Sequence, residues 1–180
     1  MENLSNLHNK ETLQFGLISA LVGIFIFVVI YIMGASYFMS PVVWISSYLV
    51  PIIFAVWGAI TAKKKSGGFL KFREALKIIF GVLVITGFLS TIFSYFIFNI
   101  LDVTFAETVK ELSIEKSMEF MKKFNVPEDE IEKAIDNMIQ QDTFSLGSLS
   151  KSFAYTCILY FIEALIIAAI VKKNKPENPF

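Results

Sequence analysis

Four long apolar runs, separated by polar segments, set the pattern of this chain. They are Leu13 to Met33, Val42 to Ala62, about Ile78 to Leu101, and Phe153 to Val171. The first holds 21 residues without a charge; at about 1.5 Å per residue it reaches about 30 Å, the thickness of a bilayer's hydrocarbon core. Each run is too long and too apolar for an ordinary soluble helix. The pattern predicts an all-α, polytopic membrane protein: a single four-helix membrane domain over residues 1–180, with spans at about 13–33, 42–62, 78–101 and 153–171. Ser40-Pro41 opens the second span well, because Ser can cap a helix and Pro suits its first position. Pro51 in mid-span removes a backbone hydrogen bond and predicts a kink.

Composition agrees. The chain has 180 residues, 55% hydrophobic and only 18% charged, with a mean hydropathy of +0.63. Soluble domains are nearer 45–50% apolar and about 25% charged. The 19 Phe read as apolar bulk facing lipid. The first run is too long for the apolar part of a cleaved signal peptide, and no small-x-small cleavage site follows it, so it is expected to be retained.

Formal net charge is zero, which argues for no polyanionic partner such as nucleic acid. Its distribution along the chain predicts orientation. Between spans two and three lie Lys63, Lys64, Lys65, Lys71, Arg73 and Lys77 against Glu74 alone, and the C-terminal tail adds Lys172, Lys173 and Lys175. The turn between spans one and two is uncharged. Cationic short loops stay cytoplasmic, so both termini are expected inside and residues 102–151 outside. Tyr31, Tyr37, Tyr48, Tyr95, Tyr155 and Trp44 then form a belt at the outer interface. Helical spans favour a bacterial cytoplasmic membrane over an outer membrane, where barrels dominate.

Residues 102–151 carry 11 acidic side chains and 6 Lys. They read as an external helical hairpin. The first helix runs from about Thr104 to Phe124, with Phe105, Val109, Leu112, Phe120 and Phe124 along one side. Asn125-Val126-Pro127 turns the chain, and Glu128, Asp129 and Glu130 suit the start of a second helix striped by Ile131, Ile135, Met138 and Ile139. The acids lack the alternating pattern and glycine of a calcium loop, so a solvated helix face is expected. On the cytoplasmic side, Gly67-Gly68 breaks the chain. Phe69, Phe72, Leu76 and Ile79 then recur at helical spacing beside Lys71, Arg73 and Lys77. This is either a short interfacial helix whose cations contact lipid headgroups or a basic loop that only sets topology.

Chemistry at span depth rests on Glu163. A carboxyl there costs about 2.5–3.5 kcal/mol to insert, so it needs a partner or a use. In span three, Thr86, Ser90 and Ser94 share one helix face at intervals of four. A hydrogen bond from Thr86 or Ser90 to Glu163 is therefore expected if spans three and four are adjacent. Glu163, Ser90, Thr86 and Ser94 form the candidate intramembrane polar site. Three readings of Glu163 compete: a structural partner within the helices, a contact to another protein or copy, and a proton or cation site for transport. Small residues mark where helices meet: Gly16, Ala20 and Gly23; Ala55, Gly58, Ala59 and Ala62; Ala164 and Ala168.

No enzyme constellation is visible. The one His, His8, lies in the polar N-terminal tail and reads as solvated; the one Cys, Cys157, lies in the last span. No metal-ligand spacing, phosphate-cradling glycine loop or nucleophile–base set exists, so no cofactor, metal or catalysis is expected.

The stretch Gly67-Gly68-Phe69-Leu70-Lys71-Phe72-Arg73-Glu74-Ala75-Leu76-Lys77 opening the third span, with Met121-Lys122-Lys123, a turn and Glu132-Lys133-Ala134, resembles an uncharacterised bacterial membrane family, domain of unknown function 4199. The resemblance covers nearly the whole chain and implies architecture only; it transfers no activity, cofactor or site residue. The leading expectation for function is a non-enzymatic structural or accessory membrane protein acting through its hairpin or a helix face, on a protein partner or a second copy. The alternative is a small oligomeric transporter or channel using Glu163. Membrane lipids are the one partner common to both.

Overall fold

The structure is a computed structural model and describes residues 4–175; the two ends of the expected 1–180 unit lie outside them. Its described elements are helical: α1 (Leu4–Met33), α2 (Ala35–Phe38), α3 (Pro41–Lys65), α4 (Phe72–Phe96), a π-helical turn (Ile97–Leu101), α5 (Val103–Lys123), α6 (Glu128–Gln140) and α7 (Leu146–Val171). The helices α1, α3, α4 with its π turn, and α7 are each long and apolar enough to cross a membrane. All begin before the charge-free cores that the sequence marks, α1 by nine residues and α7 by seven, because polar turns continue the same helix ahead of the apolar run; α3 begins only one residue early, at Pro41.

Local chemistry explains the breaks. Gly34 at φ 107° ends α1 in a conformation that L side chains rarely adopt. Ser40 accepts from the Val42 N–H at 3.4 Å and Pro41 fills the first position of α3, as expected. Asp102 caps α5 through the Phe105 N–H at 2.9 Å, and Ser145 caps α7 through Ser148 at 3.3 Å. The expected linker 145–150 is therefore a cap and the first turn of α7.

Helix α4 is the hub. It packs on α1, α3 and α7, while α1 also packs on α3, and α3 touches α7 only lightly. In the half near the termini the contact is close. Ala55, Ala59, Ala62, Ala75, Ala164 and Ala168 have no exposed surface, and they interleave with Ile78, Ile79, Val82 and Leu83 of α4. A side chain at Gly16 would put its Cβ 2.8 Å from the Ile85 side chain, so only glycine permits this approach of α1 to α4. The small-residue faces read from the sequence are the ones buried, except at Gly23, which is half-buried and lines the hollow described below.

The chain is further tied at this end. The Leu70 N–H donates to Lys173 O at 2.9 Å, and the Lys173 N–H returns to Leu70 O at 2.8 Å. Lys63 Nζ donates to Val171 O at 2.8 Å. There is no separate interfacial helix here. Residues 69–71 are extended, Leu70 is fully buried, and Phe72 begins α4 itself, leaving Lys71, Arg73 and Lys77 on the surface.

The opposite end is closed by aromatics. Phe27, Phe38, Phe98, Phe105 and Phe144 form a cluster, with Phe98 and Phe144 at 4.2 Å between ring centres and Phe27 and Phe38 at 5.0 Å. Helices α5 and α6 pack together here, joined at Asn125, whose φ is 55°. Phe105, Ala106 and Val109 sit against the cluster, and Ile131 is buried. The expected apolar side stops there. Phe120 and Phe124 lie against each other, tilted, with ring centres 4.6 Å apart, and remain 62% and 64% exposed.

Candidate functional site

Between the packed end and the aromatic end the four long helices enclose a chamber of about 400 Å³. Ten hydroxyl side chains line it: Ser19 from α1, Ser46 and Ser47 from α3, Thr86, Ser90, Thr91 and Ser94 from α4, and Ser152, Thr156 and Tyr160 from α7. Aliphatic and aromatic residues fill the spaces between, among them Ile24, Phe27, Phe38, Val50, Phe93 and Phe153. Ser19, Pro51, Thr86 and Tyr160 form the floor, and all four are buried. A second hollow of about 360 Å³ shares Phe38, Val43, Ser47, Thr156 and Tyr160 with the chamber and adds Met39, Trp44 and Tyr48. It lies where α3 and α7 touch least, so the chamber opens sideways between these two helices.

Half of the lining hydroxyls have a local reason to be in a helix. Thr86 donates to Val82 O at 2.8 Å, Thr91 to Gly87 O at 2.8 Å and Thr156 to Ser152 O at 2.9 Å. Ser46 and Ser47 both donate to Val43 O, at 2.9 and 2.8 Å. These back-bonds satisfy the hydroxyl protons and leave oxygen lone pairs free. Ser19 is different: its side chain is fully buried, and its oxygen has no hydrogen-bond partner.

Of the four residues singled out from sequence, Thr86, Ser90 and Ser94 line the chamber; Glu163 lies one turn past the Tyr160 floor. The expected hydrogen bond to Glu163 is not formed. Thr86 faces α1, where its hydroxyl lies 3.4 Å from Gly16 O, while Glu163 sits on α7. Ser90 lies toward the aromatic end, beside Gly23 of α1. What α4 presents to α7 at the floor is Gly87, against the Tyr160 ring. One carboxylate oxygen of Glu163 is buried without a partner, the second such atom among the described residues beside Ser19 Oγ. Ser152, Thr156 and Glu163 fall on one face of α7, since offsets of four and eleven residues return to nearly the same direction. The carboxyl thus continues the line of hydroxyls beyond the floor.

Two polar residues escaped the sequence reading. Glu11 is 1% exposed and pairs with Lys65 Nζ at 2.6 Å. His8, expected to be solvated, is 5% exposed, with Nε2 3.2 Å from Ser66 Oγ. The usable signal was helical spacing: His8, Glu11, Phe15 and Ser19 recur at intervals of three and four, extending the buried stripe of α1 below its apolar run. Among the described residues no group of three or more His, Cys, Asp or Glu could hold a metal ion. At the far end, Tyr31 OH donates to Asp102 Oδ2 at 2.8 Å. That bond and, more strongly, the Phe105 N–H hold the Asp102 carboxyl below its ordinary range.

No curated protein and no solved structure matches the chain. One protein family does, and its match runs over residues 14–173, taking in most of α1, all of α3, α4 and α7, the chamber and α5–α6. The chain belongs to the family described as protein of unknown function DUF4199.

Proposed function

We propose that the chain is a non-enzymatic, multi-pass membrane protein that admits a small molecule to the chamber between its four spans. In this reading α5 and α6 form an external hairpin, both termini and the basic end are cytoplasmic, and the membrane is a bacterial cytoplasmic membrane. The observation that carries it is the chamber: ten hydroxyls from four separate helices line one hollow, three of them, Ser19, Thr86 and Tyr160, buried, and polar groups inside a membrane are costly enough to need a partner or a use. A volume of about 400 Å³ lies within the ~300–1,000 Å³ typical of small-molecule sites. The chamber supports the transport alternative, in which Glu163 is the acid below the floor. Lining hydroxyls and one isolated carboxyl supply orientation and charge; no nucleophile–base pair stands beside them, which favours binding over catalysis.

Two measurements test this reading. In the Cys157→Ser background, cysteines at Lys133 and Arg73 should label from opposite sides of the membrane, with Lys133 outside. A cysteine at Ser47 should react with a small membrane-permeant reagent and be protected when the lateral opening is blocked by Thr156→Trp. Equal reactivity with and without that block would remove the chamber as a site.

The accessory reading retains one specific observation, the exposed Phe120–Phe124 pair on an otherwise charged hairpin. It expects a stoichiometric protein partner that copurifies from native membrane and is lost on deleting residues 104–141.

A further inference from the structure

We infer that the chamber is a site for a small organic ammonium ion with an apolar body, an assignment that rests on reading the chamber as a binding site. The first argument is the polarity of its wall. Five lining hydroxyls already donate their protons to their own helices. What they turn toward a ligand is acceptor oxygen. Pro51 adds to this, because it has no N–H and leaves the Ser47 carbonyl, four residues back, without its helical donor. The other five hydroxyls, Ser19, Ser90, Ser94, Ser152 and Tyr160, each keep a proton, but across the whole wall acceptor sites outnumber donors, which favours a hydrogen-bond donor.

The second argument is the pair of unsatisfied groups. Ser19 Oγ is fully buried in the floor without a partner. Buried polar atoms in native structures are almost always paired, so a lone one bordering a hollow takes its partner, water or ligand, from that hollow. One turn beyond the floor, Glu163 Oε2 is also unpartnered. No Lys, Arg or His lines the chamber, so nothing there neutralises an anion. No carboxylate lines it either, which argues against a divalent cation, whose oxygen cages draw on carboxylates. One carboxyl near an uncharged wall matches one positive charge.

The third argument is size and access. The space far exceeds a bare monovalent ion, and Phe27, Phe38, Phe93 and Phe153 supply apolar and aromatic surface for a hydrocarbon body. Aromatic faces also attract a cation directly. The opening between α3 and α7, flanked by Trp44 and Tyr48, faces sideways, the direction from which an amphiphile partitioned into lipid arrives.

The test uses the full chain in nanodiscs of phosphatidylcholine, with empty discs as the blank. The probes are 2-phenylethylammonium, 2-phenylethanol and 3-phenylpropionate, which share a body and differ in head group. Binding is followed by calorimetry. Saturable ammonium binding is expected, about tenfold or more tighter than the alcohol, with the carboxylate not binding. Glu163→Gln should weaken the ammonium about tenfold and leave the alcohol unchanged. Ser19→Ala should weaken it about fivefold. Ser47→Phe, at an exposed lining position, should remove binding of both; a preserved thermal transition for each variant shows that it is folded. Ammonium and alcohol binding equally, both blocked by Ser47→Phe, overturns the charge assignment and leaves the chamber as a neutral site. Ammonium signal unchanged in Ser47→Phe is partition into lipid and overturns both. Absence of saturable binding by any probe overturns the ammonium assignment, while labelling at Ser47 still decides the chamber.

Discussion

On the side of Tyr160 nearest the termini, helices meet through alanine and glycine; on the other side the same helices stand apart around hydroxyls. The contrast is one of side-chain size and depth. Ala55, Ala59 and Ala62 let α3 close on its neighbours until nothing of them is exposed. Ser46, Ser47 and Val50, one to three turns earlier on the same helix, face the chamber. Each half is also closed differently. The terminal end is tied by an ion pair, Lys63 on Val171 O, and the Leu70–Lys173 pair. The hairpin end is covered by interlocked aromatic rings. A closely packed base therefore lies beneath an open chamber.

The sharpest way to break that contrast is to put the same bulk in both halves. Ala59→Phe inserts a ring where no space exists and should cost about 3 kcal/mol or prevent folding. Ser47→Phe on the same helix enters open volume and should change stability by less than about 1 kcal/mol. Unfolding in mild detergent, followed by circular dichroism, compares them. Equal losses would mean that the chamber collapses around small side chains and is no true space.

Next in size is the ion pair at the base. Lys65→Met leaves the Glu11 carboxyl buried without its cation. Because Lys65 is half exposed, the loss should be about 2 kcal/mol, below the 3–5 kcal/mol of a fully buried pair. Glu11→Gln should cost less, since the Lys65 ammonium it leaves can turn to water. The same unfolding assay orders them; the reverse order would show that Glu11 is not sealed from solvent.

Much of this architecture was legible before any coordinate. Charge-free runs gave four helices long enough to cross a membrane, Ser40-Pro41 gave a helix start, and small-residue faces, Gly23 apart, gave the packed half, because each rests on local composition. The chamber was half visible: Thr86, Ser90 and Ser94 were on one face, but nothing in sequence could bring Ser19, Ser47 and Thr156 to meet them across three other helices. The expected bond to Glu163 failed for the same reason. Depth along a span can be counted, whereas the direction in which α4 faces α7 is set by Gly87 accepting the Tyr160 ring. Glu11 and His8 were missed because a charge beside an apolar run reads as its end, while the buried stripe of α1 runs on beneath it.

The smallest expected effect lies at the rim of the hairpin end and is read by pH. Asp102 caps α5 and joins it to α1 through Tyr31. Its carboxyl is held below its ordinary value of 3.8, first by the Phe105 N–H and second by the Tyr31 hydroxyl, against a smaller opposing effect of burial. A depressed folded-state pKa means that the charged form is preferred in the folded protein. The stability it contributes is therefore fully present above about pH 4 and lost as pH falls through the folded value. Hydrogen exchange of the first turn of α5 should be flat between about pH 5 and 7, after correction for the intrinsic rate. Protection there should then fall progressively below about pH 4. Asp102→Asn should remove the step. Tyr31→Phe should only reduce it, because the larger contribution comes from the backbone amide of Phe105. The terminal half should show no matching loss from this group, since Asp102 has no contact there. If protection below pH 4 fell equally in α5 and around Ala59, the two halves would be unfolding as one unit, and the base would not be the independent platform that its packing describes.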